Sequence, residues 1–165
     1  MDLYVSPAVA SAVWIGIDQY NGSDWNGKIY TRLNKEAINF RNIGEMLDVL
    51  ESIWNTIGYP QEAMINRRFL VRQDSKTKKE LITVSYFDDR TKDKIKVELS
   101  EADMEKRRGE QDTFIVRIQY RQNATWQGHV TWVDENKTVP FRSALELIKL
   151  IDSTQNDQTE EWKKE

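Results

Sequence analysis

Strict alternation of apolar and polar positions marks the second half of the chain. Phe114, Val116, Ile118 and Tyr120 alternate with Ile115, Arg117, Gln119 and Arg121. That period of two predicts a half-buried β-strand with Tyr120 inward and the arginines toward solvent. After a loop around Asn123, Trp126, Gly128, Val130 and Trp132 alternate with Gln127, His129 and Thr131, predicting a second strand. Asp134-Glu135-Asn136-Lys137 is turn chemistry, and Val139 and Phe141 point inward from a third, short strand. The period then changes to that of a helix. Ala144, Leu147, Ile148 and Ile151 form one apolar stripe, and Ile43, Met46, Leu47, Leu50, Ile53 and Trp54 form another earlier in the chain. Asn42 with Glu45 and Ser143 with Glu146 predict capping boxes at the two helix starts, while Gly58-Tyr59-Pro60 stops the first helix.

The two patterned regions coincide. Residues 13–54 slide onto 114–155 at a constant offset of 101, without gaps. Trp25 meets Trp126, Gly27 meets Gly128, Phe40-Arg41 meets Phe141-Arg142, and Ile29 meets Val130. Agreement of residue class through strands, turns and helix predicts an internal repeat of β-β-β-α units. In the first copy Asn21-Gly22 and Asn34-Lys35 do the turning.

Between the copies, Arg67–Gln73, Leu81–Phe87 and Ile95–Leu99 are strand candidates, separated by Lys-rich loops at Asp74–Glu80 and Asp88–Lys94. Ser100–Gly109 reads as a capped helical turn or a charged loop. A copy of about 42 residues buries too little surface to fold alone. The expectation is a single α+β domain over 1–154 with a mainly antiparallel sheet. Repeat one spans about 13–57, the connecting β segment 60–113, repeat two about 114–154, and residues 155–165 form a polar tail.

Composition narrows the function. With 24 basic and 27 acidic side chains, a net charge of −3 gives no global attraction to nucleic acid or membrane. The chain has no cysteine, which removes disulfides and thiolate chemistry. The apolar run Ala8–Ile17 is shorter than the roughly 20 residues a membrane span needs and has no basic residue ahead of it. A cytoplasmic chain is therefore expected. Signatures of phosphate loops, serine hydrolases, zinc proteases and calcium loops are missing, and His129 is the only histidine. The sequence is read as non-enzymatic, with no cofactor and no metal.

What remains is a surface. No acid occurs from Phe114 through Val133, so the predicted solvent face of repeat two is cationic and amide-rich. Arg117, Gln119, Arg121, Gln127 and His129, with Trp126 alongside, are the candidate binding residues. Arg142, next to a helix start, is a candidate anion anchor. The matching face of repeat one carries Asp18, Tyr20, Asn26, Lys28, Tyr30 and Arg32, and is less basic. Arg117 and Arg121 followed by Asn123-Ala-Thr125-Trp-Gln-Gly128 invite comparison with the PilZ cyclic-dinucleotide signature. Here one residue separates the two motifs where PilZ domains have tens, so only a nucleotide ligand stays in view.

Arg117 to Ser153, above all Asn-Ala-Thr-Trp-Gln-Gly with Phe-Arg-Ser-Ala-Leu-Glu-Leu-Ile-Lys-Leu-Ile-Asp, resembles a family of small uncharacterised bacterial proteins with two related halves. The resemblance implies a bacterial, cytoplasmic, two-repeat protein and carries over no functional residue. The expected function is a binding or adaptor domain that recognises a protein partner or small anionic ligand through the sheet of repeat two. The alternative is a nucleic-acid or nucleotide binder that uses the same face, with stacking from Trp126 or Trp132.

Overall fold

Six antiparallel strands form the main sheet in the order β4-β3-β2-β6-β7-β8. They are β2 (Val13–Asn21), β3 (Asp24–Thr31), β4 (Asn34–Phe40), β6 (Asp112–Tyr120), β7 (Gln127–Trp132) and β8 (Lys137–Phe141). Helix α2 (Ile43–Ile57) follows β4 and helix α4 (Ala144–Ser153) follows β8. A short ribbon pairs β1 (Leu3–Val5) with β5 (Ile95–Val97), and two small helices, α1 (Pro7–Ala10) and α3 (Glu101–Glu105), also lie among the described residues. This computed structural model describes residues 2–61, 82–88, 90, 92–121 and 125–155. The fold is α+β and mainly antiparallel. Candidate strand Arg67–Gln73, loop Asp74–Glu80 and the tail beyond Gln155 lie outside the described residues.

The central pair β2–β6 sets the core. Val13 sits opposite Val116 and Ile15 opposite Phe114, and outward from them Ile29 and Val130 continue the same face. Trp54, Leu50 and Met46 of α2 and Leu147 and Ile151 of α4 close over it. A second, smaller cluster lies on the opposite face, where Trp14 and Tyr30 pack with Leu99 and Met104. Residues 13–17 are thus buried on both sides. That is the physical reason for the continuous apolar run, since a strand covered on both faces does not alternate.

Hairpins β2–β3 and β6–β7 each carry a β-bulge. Pairing of β2 with β3 shifts between Ile17 and Gln19, and pairing of β6 with β7 shifts between Ile118 and Tyr120. Gly27 lies opposite Ile17 and Gly128 opposite Ile118. A Cβ on Gly27 would meet the Gly16 carbonyl, and one on Gly128 the Arg117 carbonyl. The recurring glycine is therefore needed where the bulged strand closes over its neighbour.

The recurring tryptophan has a different role. Trp25 is fully buried and its indole N–H points to Asp152 of α4, at 3.4 Å. Trp126 meets Trp54 of α2 edge-to-face, with ring centroids 4.9 Å apart. Each hairpin end thus touches the helix that follows the other hairpin. Tyr20 does the same toward Thr154, and Arg121 toward Asn55.

Several local expectations are corrected. The second turn of the first half is Arg32-Leu33, and Asn34 already begins β4, its side chain accepting from Glu36 N–H. Within the described part of Leu81–Phe87, only Tyr86 bridges, to Ile95. Ile95–Val97 joins β1 rather than the main sheet. Asn42 and Ser143 cap their helices by accepting from Glu45 and Glu146 N–H, at 2.8 and 3.0 Å. The glutamate carboxylates instead pair with Arg41 and Arg142. A reciprocal capping box does form at Ser100 and Asp103, where it starts α3. Hydrogen bonds from Ser100 hold the Asp103 carboxyl below its ordinary pKa.

Candidate binding face

The sheet's outer face, away from α2 and α4, differs between its two halves. Over β2–β4 it is covered by residues 98–110. Glu98 and Leu99 N–H both donate to the Arg32 carbonyl, and Arg107 donates to the Lys35 carbonyl. The Arg107 guanidinium lies over the Tyr30 ring at 5.5 Å, and the Tyr30 hydroxyl donates to the Arg108 carbonyl. Burial, then the charge of Asp18, raises the Tyr30 phenol's pKa. Gly109 packs so closely on Gly16 that a Cβ there would meet Gly109 backbone at 2.8 Å.

No such cover lies over β6–β8 among the described residues. Three rows run across these strands on the outer side. Ile115 faces Thr131, which faces Thr138, and the two threonine hydroxyls bond at 2.8 Å. Arg117 faces His129, which faces Pro140. Beyond the bulge, Tyr120 faces Gln127. Arg117, Gln119 and Tyr120 are exposed, while Gln127 and His129 are half-buried. Gln127 donates a long bond to the Thr125 hydroxyl, 3.4 Å. Edge strand β8 carries Lys137 and Pro140, residues that discourage a further strand from pairing there.

The bulge corrects two placements. One extra residue at Gln119 inverts the alternation after it. Tyr120, expected inside, is 53% exposed, and Arg121, expected outside, is only 4% exposed. The Arg121 guanidinium donates to the Pro60 carbonyl at 2.7 Å and to the Asn55 side chain. Arg121 is a structural residue on the helix side. Trp126 is half-buried against Trp54. Trp132 stacks near Phe114 and donates its indole N–H to Asp112 at 3.0 Å. Neither ring is on the polar face. Arg142 is exposed but stands 4.0 Å from Glu146, its own helix's first-turn acid, so it is not an isolated anion anchor. Of the expected set, Arg117, Gln119, Gln127 and His129 remain together, and Tyr120 joins them.

A groove of about 420 Å³ opens at the end of this face, where β2 begins and β6 nears its bulge. Val9 and Ala12 lie along it with Trp14, and Arg32, Glu101 and Arg117 stand around it. Arg32 uses its Nε–H on the Leu99 carbonyl at 3.0 Å. Among the described residues no group of three His, Asp or Glu is placed to hold a metal ion. Nor is any helix there long and apolar enough to cross a membrane. No family model matches the chain, and no curated protein or solved structure matches it.

Proposed function

We propose that this protein is a cytoplasmic, non-enzymatic binding or adaptor domain. Its partner, a protein or small anionic ligand, meets the outer face of β6–β8. The observation that carries this reading is the unequal cover of one sheet. Residues 98–110 occupy the outer side of β2–β4, whereas Arg117, Gln119, Tyr120, Gln127 and His129 have no such cover among the described residues. These five residues include one guanidinium, an imidazole and two side-chain amides and no acid, a set that suits carboxylate or phosphate recognition by guanidinium and amide donors.

We also read the two β-β-β-α segments as an internal duplication whose copies have diverged in role. Bulges, glycines, helix caps and Arg–Glu pairs recurring at the same offset support this. The first copy's outer side then serves the core and the second copy's serves recognition. A nucleic-acid reading keeps Tyr120 as an exposed stacking ring but has both nearby tryptophans turned inward.

Amide-resolved NMR titration with three probes tests the proposal: a short polyglutamate peptide, inorganic phosphate and an oligothymidylate. Polyglutamate or phosphate should shift Arg117, Tyr120, Gln127 and His129. Arg117→Ala with His129→Ala should weaken that binding by about tenfold or more, equivalent to about 1.4 kcal/mol, without lowering the melting temperature. Shifts confined to other surfaces, or unchanged affinity in the double variant, would sink the proposal. Tighter binding of the oligothymidylate, with a steep loss in salt, would favour the nucleic-acid alternative.

A further inference from the structure

The groove beside Arg117 has a chemistry that the flat part of the face lacks. Val9 of α1 is 45% exposed although it is aliphatic, and Ala8 beside it is also exposed. Ala12 and the Trp14 ring, both buried, are at the groove with them. Two guanidiniums flank this apolar strip. The Arg117 side chain makes no hydrogen bond or ion pair among the described residues, and the Arg32 guanidinium commits only its Nε–H, to the Leu99 carbonyl. Glu101 is the single acid among the lining residues, and Gln119 lines the groove beside Arg117. An apolar anchor point beside two guanidiniums that form no ion pair, sharing Arg117 and Gln119 with the sheet face, is the arrangement in which charge complementarity selects a partner and burial holds it.

We infer that this groove is the anchor site for an acidic segment of a protein partner. One aliphatic side chain of that segment seats against Val9, Ala12 and Trp14, with flanking carboxylates on Arg32 and Arg117. The inference rests on the proposed binding face and names its partner class. Free phosphate fits the guanidiniums but leaves the apolar strip unused. A nucleic acid uses the cations but presents no aliphatic side chain.

Two acetylated peptides separate the possibilities, one of six glutamates and one with a central leucine replacing a glutamate. They are titrated into the full chain and its Val9→Ser variant, following backbone amides and the Trp14 indole. Val9 is exposed, so the variant keeps its fold, which its melting temperature verifies. The leucine peptide should bind wild type about tenfold or more tighter than hexaglutamate, as expected for burying one leucine side chain. It should shift Val9, Ala12 and the Trp14 indole, and Val9→Ser should erase that advantage while leaving hexaglutamate binding unchanged. A variant with leucine retained and every glutamate replaced by lysine should not bind. Equal affinity of the two acidic peptides, with shifts on Arg117 and His129 only, would overturn the anchor site and leave the binding face intact. If neither acidic peptide shifts the face, both the face and its anchor site are rejected. Binding of the lysine peptide at the groove would overturn the assignment of an acidic partner.

Discussion

Replacing Arg121 with alanine should destabilise the protein by about 3 kcal/mol, while the same change at Arg117 should cost less than about 0.5 kcal/mol. The two residues lie four apart in sequence and are equivalent by alternation, so the contrast tests the bulge directly. Arg121 is buried and donates to the Pro60 carbonyl at 2.7 Å and to Asn55. A hydrogen bond from a charged donor contributes about 1.5–3 kcal/mol. Asn55 is exposed and recovers water, so its share is small. Pro60 is buried, and its carbonyl would lose its Arg121 donor, at a further cost of about 1–3 kcal/mol. Partial relaxation and water entry bring the sum down toward 3. Urea unfolding followed by tryptophan fluorescence measures this, since Trp126 and Trp54 pack edge-to-face within the same core. With a slope of about 2 kcal/mol/M, the midpoint should fall by about 1.5 M for Arg121→Ala. Arg121→Lys should fall between, keeping the charge but losing the planar donor set. An Arg121→Ala midpoint indistinguishable from wild type, or an equal loss in Arg117→Ala, would refute the reasoning.

Gly27→Ala and Gly128→Ala should each lower stability by more than about 2 kcal/mol, because the new methyl group meets strand backbone rather than a movable side chain. Gly44→Ala, near an open helix start, serves as the control and should leave the unfolding midpoint close to wild type. Tyr20 should make stability depend on alkaline pH. Burial first, and then the hydrogen bond it donates to Asp112, hold its phenol pKa above the ordinary value of 10.0. A raised value favours the neutral form in the folded state, so the stabilisation is full below about pH 10 and is lost as pH rises through the folded value. The stability difference between wild type and Tyr20→Phe should therefore shrink above about pH 10, by at most about 1.4 kcal/mol per pH unit. Parallel pH curves for the two proteins would exclude Tyr20 as the source.

Much of the architecture follows from periodicity read along the chain. Alternation at 114–118 and 127–132, the apolar stripes at 43–54 and 144–151, and the Asn42 and Ser143 caps correspond to β6, β7, α2, α4 and their N-termini. These are local signals, in which a side chain's burial depends on its position within one element. Chemistry at the candidate face was only half legible, because parity along a strand survives only until a bulge. Arg117 and His129 lie before it, on consecutive paired positions, and share the outer face as alternation predicts. Tyr120 and Arg121 lie after it and exchange places, with only the glycine opposite as a trace in sequence. Tertiary structure alone decided the rest. That residues 98–110 return to the first half's outer side depends on bonds to Arg32, Lys35 and Tyr30, some 70 residues away in sequence. That Trp25 and Trp126 reach each other's helices depends on β2 pairing with β6. Such contacts arise from mutual burial of surfaces distant in sequence, and no pattern within either segment encodes which partner it will find.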